Sequence, residues 1–514
     1  MNIPEIVTNI KKSNLLKLFI TSFVFFFVFY IVILIRGEGW DGDSVVNIAQ
    51  FYKLIFIDLY GTLDGGTHPK FLTILLFGTF HYLFESYSIH WVVILISSFA
   101  FAKVVLLNKN YGGSFLWFWL PFISPTLVLS IISADNPSMA IAFYILAMVY
   151  TFEKKIVISF ICLLLAELSR PGYSVLMVLS LLFLMFNNTL CIKKDLRKIF
   201  LLFVLIIFGF VHTLYSYKLA YPSLEYSLNM VDTDNSIFLE NKFFTLTTFL
   251  NGIIVAFFSH NIMPFPISIF AIICLILCFR NLRHISTIFF LLPSIYVPTF
   301  FAAITKGLMG AKYYEIFFFN EIYASSPHYY LTLLPILLFS ISILFNKIAE
   351  TDILPKIFSN FLNSFSSVRF SIILAFCLAL GNGILLQKTY EVNPPQTNIN
   401  PSKYSHKMLS DRDAIKNFKN LYELKKDKLN ILTTADTIPI LIDNAQYIKK
   451  LTQASFGTDD GIFRADILLS IKNQYKVPNS FDVLYTTVEY LNYFQLPENS
   501  KIIYLKLNRV FIIL

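Results

Sequence analysis

Charge is scarce in this chain. Of its 514 residues, 14% are Asp, Glu, Lys or Arg and 56% are hydrophobic, with a mean hydropathy of +0.65. Soluble domains carry roughly a quarter charged residues, so the shortage excludes an ordinary soluble domain and points to a polytopic α-helical membrane protein. Cysteine is scarce too. Cys162, Cys191, Cys274, Cys278 and Cys377 lie in apolar runs or in a short basic loop, and the polar C-terminal region has none. That pattern argues against a disulfide framework and against a Cys metal site. Cys274 and Cys278 stand one helical turn apart and read as lipid-facing or core residues. No small-residue cleavage site follows the first apolar segment, which is therefore expected to stay as an anchor. No convincing internal repeat is present. The net charge of +9 does not imply nucleic acid as a partner, because the basic residues fall mostly in short clusters between apolar runs, where they orient a membrane protein.

Apolar runs are what the chain has in abundance. A helix needs about twenty apolar residues to cross the hydrocarbon, and Lys and Arg in short loops mark the cytoplasmic side. The first run, Leu18 to Ile35, follows Lys11, Lys12 and Lys17. This places the N-terminus in the cytoplasm and Trp40-Asp41-Gly42-Asp43 outside, with Arg36 a lone basic exception. The run Phe71 to Phe84 is short and begins after Pro69. Counting it as a span would put every later basic cluster outside, so it reads as a juxtamembrane or re-entrant helix within an outer loop of residues 37–88.

The later spans then run Ile89 to Leu107 inward, Phe115 to Ile132 outward, Pro137 to Phe152 inward and Ile156 to Leu168 outward. They continue with Tyr173 to Phe186 inward, Ile199 to Tyr215 outward, Phe265 to Phe279 inward and Ser286 to Ile304 outward. Tyr330 to Phe345 goes in and Phe370 to Leu386 goes out. About eleven helices result by the spanning-length and charge rules, an odd number, which leaves the C-terminal region outside. Residues 1–387 form the expected membrane domain and 388–514 a small soluble α/β domain on the outer face. Strands are expected at Leu429 to Thr434 and Ile502 to Leu507, helices around Asp411 to Tyr422 and Asp466 to Tyr475. Two further long outer loops are expected, Ser216 to about Asn251 and Lys306 to Pro327.

Under this topology the unusual polar residues collect on one side. Asp41, Asp43, Thr67, His68, Asp135, Arg170, Lys306, Lys312, Glu315 and His328 all fall at or just beyond outer helix ends. An enzyme acting on a lipid-phosphate-linked sugar needs such a set: a carboxylate to take the acceptor's proton and a cation to stabilise the departing phosphate. Each residue also has a structural explanation. Asp-Gly-Asp is a common turn, and Asp135 before Asn136-Pro137 can cap the next helix. Arg170 can pair with Glu167, the two histidines can hydrogen-bond locally, and Lys306 and Lys312 can snorkel to headgroups.

Taken jointly, the motifs resemble those of GT-C fold glycosyltransferases, the group of protein O-mannosyltransferases, aminoarabinose lipid A transferases and arabinofuranosyltransferases. Asp41-Gly42-Asp43-Ser44 stands where that family has an acidic pair in its first outer loop, with Gly42 inserted. Thr67-His68-Pro69-Lys70 is similar to its juxtamembrane motif, with Lys in place of a second Pro. Asp135 opens a span, Ser169-Arg170-Pro171-Gly172 closes the next, and Pro327-His328-Tyr329-Tyr330-Leu331 with Pro335 is a loose version of a late Arg-Tyr-Leu-x-Pro element.

The resemblance implies an inverting enzyme of the cytoplasmic membrane that moves a sugar from a polyprenyl-phosphate donor to a glycan, lipid or protein acceptor on the outer face. It implies Asp43 or Asp41 as general base and Asp135 as a second acid. It assigns His68, Arg170, Lys306, Lys312, His328 and Tyr329 to the donor phosphate or substrate. Asp43 and Asp135 together would hold Mg²⁺ or Mn²⁺ through oxygen ligands, although the sequence does not require a metal. A flippase or transporter of lipid-linked glycans should instead show mid-span ionisable residues and an inverted repeat, and the spans are largely apolar. A surface polysaccharide polymerase or ligase would differ mainly in taking a diphosphate-linked donor.

Overall fold

The computed structural model describes residues 12–36, 51, 70–84, 88–110, 127, 131, 136–186, 190–230, 269, 273, 312–316, 319–324, 412–434, 447–455, 467–469, 473–505 and 509–514. The chain divides into two compact units. One is Met1–Ile31, His90–Leu214 and Ser236–Asn398; the other is Val32–Ile89, Tyr215–Asn235 and Ile399–Leu514.

Seven helices are described before the first strand: α1 (Lys12–Arg36), α2 (Phe71–Phe84), α3 (Ser88–Asn110), α4 (Asn136–Phe152), α5 (Ile156–Ser169), α6 (Tyr173–Phe186) and α7 (Ile192–Met230). Their bounds follow the apolar runs, except that α7 continues well past Tyr215 into what the sequence reading takes as an outer loop. Hydropathy alone does not predict a helix from Ser216 to Asn229, where Leu219, Ala220, Leu224 and Leu228 alternate with polar residues. Leu, Ala, Lys and Glu are nevertheless good helix formers, and they carry the helix past the apolar span. Among the described residues, α3 and α7 contain stretches long and apolar enough to cross a membrane, Ile89–Leu107 and Lys193–Tyr215. The predicted spans Phe115 to Ile132 and Phe265 to Phe279 are represented by helical Leu127, Ile131, Ile269 and Ile273; the three later ones lie outside the described residues.

Side-chain burial separates two faces on the helices. On α1, Leu18, Ser22, Phe26 and Tyr30 are buried while Leu16, Ile20, Val24 and Val28 are exposed, each set repeating every four residues. The buried stripe meets α3 through Phe26 and Phe101 (ring centroids 5.7 Å apart) and Tyr30 and His90 (4.9 Å). On α7, Leu202, Ile206, His212 and Thr213 are buried, whereas Phe200, Phe203, Ile207, Val211 and Leu214 are exposed. An exposed face this apolar would be an aggregation liability in water and suits hydrocarbon. Helix α4 is buried on nearly all sides from Ser138 to Val149, as a central helix must be.

The α4–α5 connection is a three-residue turn with Lys154 in the left-handed region (φ 59°). Glu153 pairs with Lys155 at 2.6 Å and lies 3.7 Å from Lys103 of α3, and both lysines stand over the Tyr150 ring. Just inside, Thr151 Oγ1 and Ser159 Oγ both donate to the Ala147 carbonyl and lie 2.6 Å apart. A second basic segment opens α7, which kinks at Asp195; that carboxylate accepts from Cys191 N and Lys198 Nζ. Both basic turns therefore sit at one end of the helices α4 to α7.

Strands β1 (Lys312–Ile316) and β2 (Phe319–Ala324) form an antiparallel hairpin, with an irregularity in register between Tyr314 and Ile316. The C-terminal region forms an α/β domain. It contains α8 (Arg412–Lys425), β3 (Leu429–Thr434), β4 (Ile448–Ser455), β5 (Ile467–Leu468), β6 (Tyr475–Lys476), β7 (Val483–Thr487), the short α9 (Val488–Leu491), β8 (Phe494–Gln495), β9 (Lys501–Leu505) and β10 (Arg509–Ile513). Six strands pair in the order β5-β4-β3-β7-β10-β9; the first four are parallel, and β10 runs antiparallel to both its neighbours.

Both faces of the sheet's centre are buried, which is why its strands read as continuous apolar runs. Leu432, Leu484, Val510 and Ile512 pack on one face; on the other, Phe418 of α8 meets Tyr485 and Phe511 edge-on at 5.7 and 4.7 Å. Asp482, just before β7, ties that strand to α8 and β3, accepting from Lys425 Nζ and Asn430 N. The expected helix at Asp466 to Tyr475 is corrected here: Ile467 and Leu468 pair in parallel with Ala454 and Ser455 of β4, and Tyr475 begins β6. Ile467 and Leu469 join the sheet's core, so pairing and burial override the helical spacing of that segment's apolar residues.

Candidate functional site

Arg170 is the expected site residue that the structure describes most fully. It terminates α5, in extended conformation (φ −156°, ψ 121°), with its N–H donating to Ala166 O at 2.9 Å. Pro171 cannot continue the helix, and Gly172 takes φ 122°, a left-handed value open to glycine. The chain then turns directly into α6.

Glu167 holds this turn. Its side chain is fully buried, and its two oxygens accept from three donors and lie beside a fourth polar atom, the Nδ1 of His212. Oε2 accepts from Gly172 N at 2.8 Å and Ser174 N at 2.9 Å, which satisfies two of the N–H groups that an α6 N-terminus leaves open. Oε1 accepts from Thr213 Oγ1 at 2.6 Å and faces His212 Nδ1 at 3.2 Å, both on α7. Ser174 Oγ lies 2.9 Å from Thr213 Oγ1 and closes the ring of contacts. Gly209 lets α7 come this near: a methyl there would sit 3.4 Å from Ser174 Cβ and Met177 Sδ and 3.6 Å from Glu167 Cγ.

From the sequence, Glu167 is an expected partner for Arg170. In the structure its two oxygens are instead engaged by Gly172 N, Ser174 N, Thr213 Oγ1 and the Nδ1 of His212. The roles of Glu167, His212, Thr213 and Ser174 were missed because they converge from positions up to 46 residues apart. The available signal was their rarity: each is a polar residue inside or beside an apolar run, where such residues carry a purpose.

The other expected residues fall as follows. Lys312 opens β1, in register with Ala324. Asp135 lies outside the described residues, and α4 begins at the next position, Asn136. Asp41, Asp43, His68, Lys306, His328 and Tyr329 also lie outside them. Lys70, two residues after His68, is buried, and its carbonyl accepts from Ile74 N at the start of α2. Phe51 is buried against α2 at Gly78, where a methyl group would overlap its ring. Among the described residues, no three His, Cys, Asp or Glu side chains converge as a metal site would require.

No family model matches the sequence, and no curated protein sequence matches it. The fold does have a counterpart. A crystal structure of ArnT from Cupriavidus metallidurans in the apo state superposes with a TM-score of 0.55, covering 95% of this chain and 97% of that one at 10% identity. The chain has the GT-C fold. The likeness extends over almost the full length of both chains, so it includes the helical part and the C-terminal α/β domain alike. The GT-C fold is polytopic and membrane-embedded, in agreement with the exposed apolar faces of α1 and α7.

Within the helical unit of this GT-C chain, the ionisable residues named above lie, among the described residues, toward the ends of the apolar stretches, His212 being near the end of the Lys193–Tyr215 stretch and not at the end of α7 itself. Lys103, Glu153, Lys155 and the α7 basic segment mark one end, and Glu167, Arg170 and His212 the other. The separation follows from chain direction: α5 runs from the basic turn to Arg170, and α7 runs from its basic segment to His212.

Proposed function

We propose that the chain is an integral membrane glycosyltransferase that moves a sugar from a polyprenyl-phosphate donor to an acceptor on the outer face of the cytoplasmic membrane. The observation that carries this reading is the end-to-end fold likeness to ArnT, an aminoarabinose transferase of GT-C type. The Arg170 turn, built opposite the basic loops, supports it by putting a cation at the end of the helices where the charge rule places the outer face.

In the proposed reaction, Asp43 or Asp41 takes the proton of the acceptor hydroxyl as its oxygen attacks the anomeric carbon. The bond from that carbon to the phosphate oxygen breaks, and the electron pair leaves with the polyprenyl monophosphate. Asp135 orients the acceptor. Arg170, Lys306, Lys312, His68, His328 and Tyr329 bind the donor, the cations among them stabilising the charge that grows on the leaving phosphate. Attack from the face opposite the phosphate inverts the anomeric centre. Mg²⁺ or Mn²⁺ held by Asp43 and Asp135 would neutralise the same charge when bound. Residues 1–387 form the membrane domain of this proposal and 388–514 the outer domain, with a glycan, lipid or protein as acceptor.

Among the described residues the ionisable side chains fall near the ends of the apolar stretches, which disfavours a transporter, since that would need them at mid-depth. Membranes containing the protein, supplied with a panel of radiolabelled polyprenyl-monophosphate sugars and their diphosphate-linked counterparts, test the proposal. Transfer from a monophosphate donor is expected. Release of label from the diphosphate donors alone would instead identify a polymerase or ligase, and no transfer from either set would remove the enzyme reading.

A further inference from the structure

We infer that Glu167, together with His212 and Thr213 of α7, forms a positioning device that fixes the backbone of the Arg170 turn so that its guanidinium meets a lipid-linked phosphate. This rests on the proposed function, in which Arg170 binds the donor, and adds residues to which that reading assigned no role.

The geometry constrains the turn from both sides. Arg170 N is tied back to Ala166 O, and Gly172 N, two residues on, is tied to Glu167 Oε2. Between these anchors Pro171 has a nearly fixed φ and Gly172 is held at φ 122°, so few backbone torsions remain for the segment bearing Arg170. Glu167 is in turn tied to α7 through Thr213 Oγ1 and His212 Nδ1. The turn is thereby fastened to a second helix.

A carboxyl group is an expensive choice for a merely structural clasp in an apolar setting, where packed aliphatic side chains would hold the helices without desolvating anything. His212 adds to the cost: its side chain is 8% exposed, and its Nε2 is buried without a hydrogen-bond partner among the described residues. What the cluster supplies, and aliphatic packing would not, is a set of directional bonds that locks the turn's geometry. Binding a phosphate through one guanidinium depends on such preorganisation, since a loose turn must be ordered again each time the ligand binds.

The test is a double-mutant cycle on the full chain in detergent, reading undecaprenyl monophosphate affinity by native mass spectrometry, with undecaprenol as the phosphate-free control. Arg170→Ala should weaken monophosphate binding by about 30-fold, the loss of a charge-assisted contact. Glu167→Gln, which keeps shape and volume, should weaken it by roughly 5-fold, and Thr213→Val by a similar factor. In the Arg170→Ala background Glu167→Gln should cause no further loss, because it acts through Arg170. Undecaprenol affinity should change in none of these variants.

Several outcomes overturn the inference. A full, additive Glu167→Gln loss in the Arg170→Ala background would do so, as would an equal loss of undecaprenol affinity, since either marks a general structural effect. So would unchanged monophosphate binding in Glu167→Gln while Arg170→Ala still weakens it; this leaves the donor-binding reading of Arg170 standing alone. If Arg170→Ala itself has no effect, the phosphate role of Arg170 fails first and the positioning role with it. Should Glu167→Gln not accumulate, Thr213→Val carries the same cycle.

Discussion

Glu167 illustrates how much one buried side chain can decide in this fold. Its two oxygens serve two backbone N–H groups at the start of α6 and two side chains of α7, so removing the carboxyl group leaves several buried donors without acceptors at once. Each such orphan costs about 1–3 kcal/mol. Glu167→Ala is therefore expected to destabilise the chain by about 3 kcal/mol or more, a large effect for a single site. Glu167→Gln keeps one acceptor oxygen and should lose less. The apparent thermal midpoint in detergent, compared at one scan rate, checks the order; equal midpoints for both variants and the parent would show that the described contacts do not bear on stability. Arg170 and Glu167 also mark the limit of reading residues one at a time. A four-residue motif, Ser169-Arg170-Pro171-Gly172, is visible on the page, and its helix-ending role follows from Pro and Gly. Two of the groups that meet Glu167 come from α7, 45 and 46 residues later, and no local spacing announces them.

Among the elements, the helices were the most legible because a single cause, long apolar runs, sets their bounds. The helix found at Tyr173–Phe186 ends where the apolar run ends, and that at Ile156–Ser169 stops at the proline. Two elements depart from the expectation for opposite reasons. Helix α7 outlasts its apolar span because hydropathy measures the membrane and not the helix. Strand β5 replaces an expected helix because parallel pairing with β4 and burial of Ile467 and Leu469 decide a short ambiguous segment. Strand β3, by contrast, was legible residue for residue, since both its faces are buried and its sequence is apolar or Thr throughout apart from Asn430. At this scale Gly78 on α2 matters for the outer loop of residues 37–88. Phe51, eight residues after Asp43, lies so near Gly78 that an added methyl group would overlap its ring. Gly78→Ala must displace Phe51, and overpacking of this kind costs about 1–3 kcal/mol. The expected result is a lowered thermal midpoint and reduced sugar transfer, partly restored when Phe51→Leu is added; a Gly78→Ala variant with parental midpoint and transfer would show that Phe51 is not seated on α2.

For the molecule as a whole, two kinds of information point the same way. Composition and the placement of Lys and Arg describe a polytopic chain with a polar C-terminal region, and the fold matches a GT-C structure across nearly all of both chains at 10% identity. Such low identity explains why motif-by-motif comparison is weak: a bundle fold needs apolar length, turn residues and packing, and many sequences meet those needs. Orientation can be tested directly. Alkaline phosphatase fused after Gly172 should be active and fused after Lys155 inactive, with a cytoplasmically folding fluorescent reporter giving the reverse; the opposite pattern would invert the proposed topology. The proposed chemistry rests on the acidic pair of the first outer loop. Its most direct measurement is sugar transfer from a polyprenyl-monophosphate donor in membranes bearing the parent, Asp41→Asn or Asp43→Asn at matched protein levels. Loss of transfer in at least one variant, with the parent active, is the predicted result; full transfer by both would contradict the assignment of the base and with it the proposed mechanism.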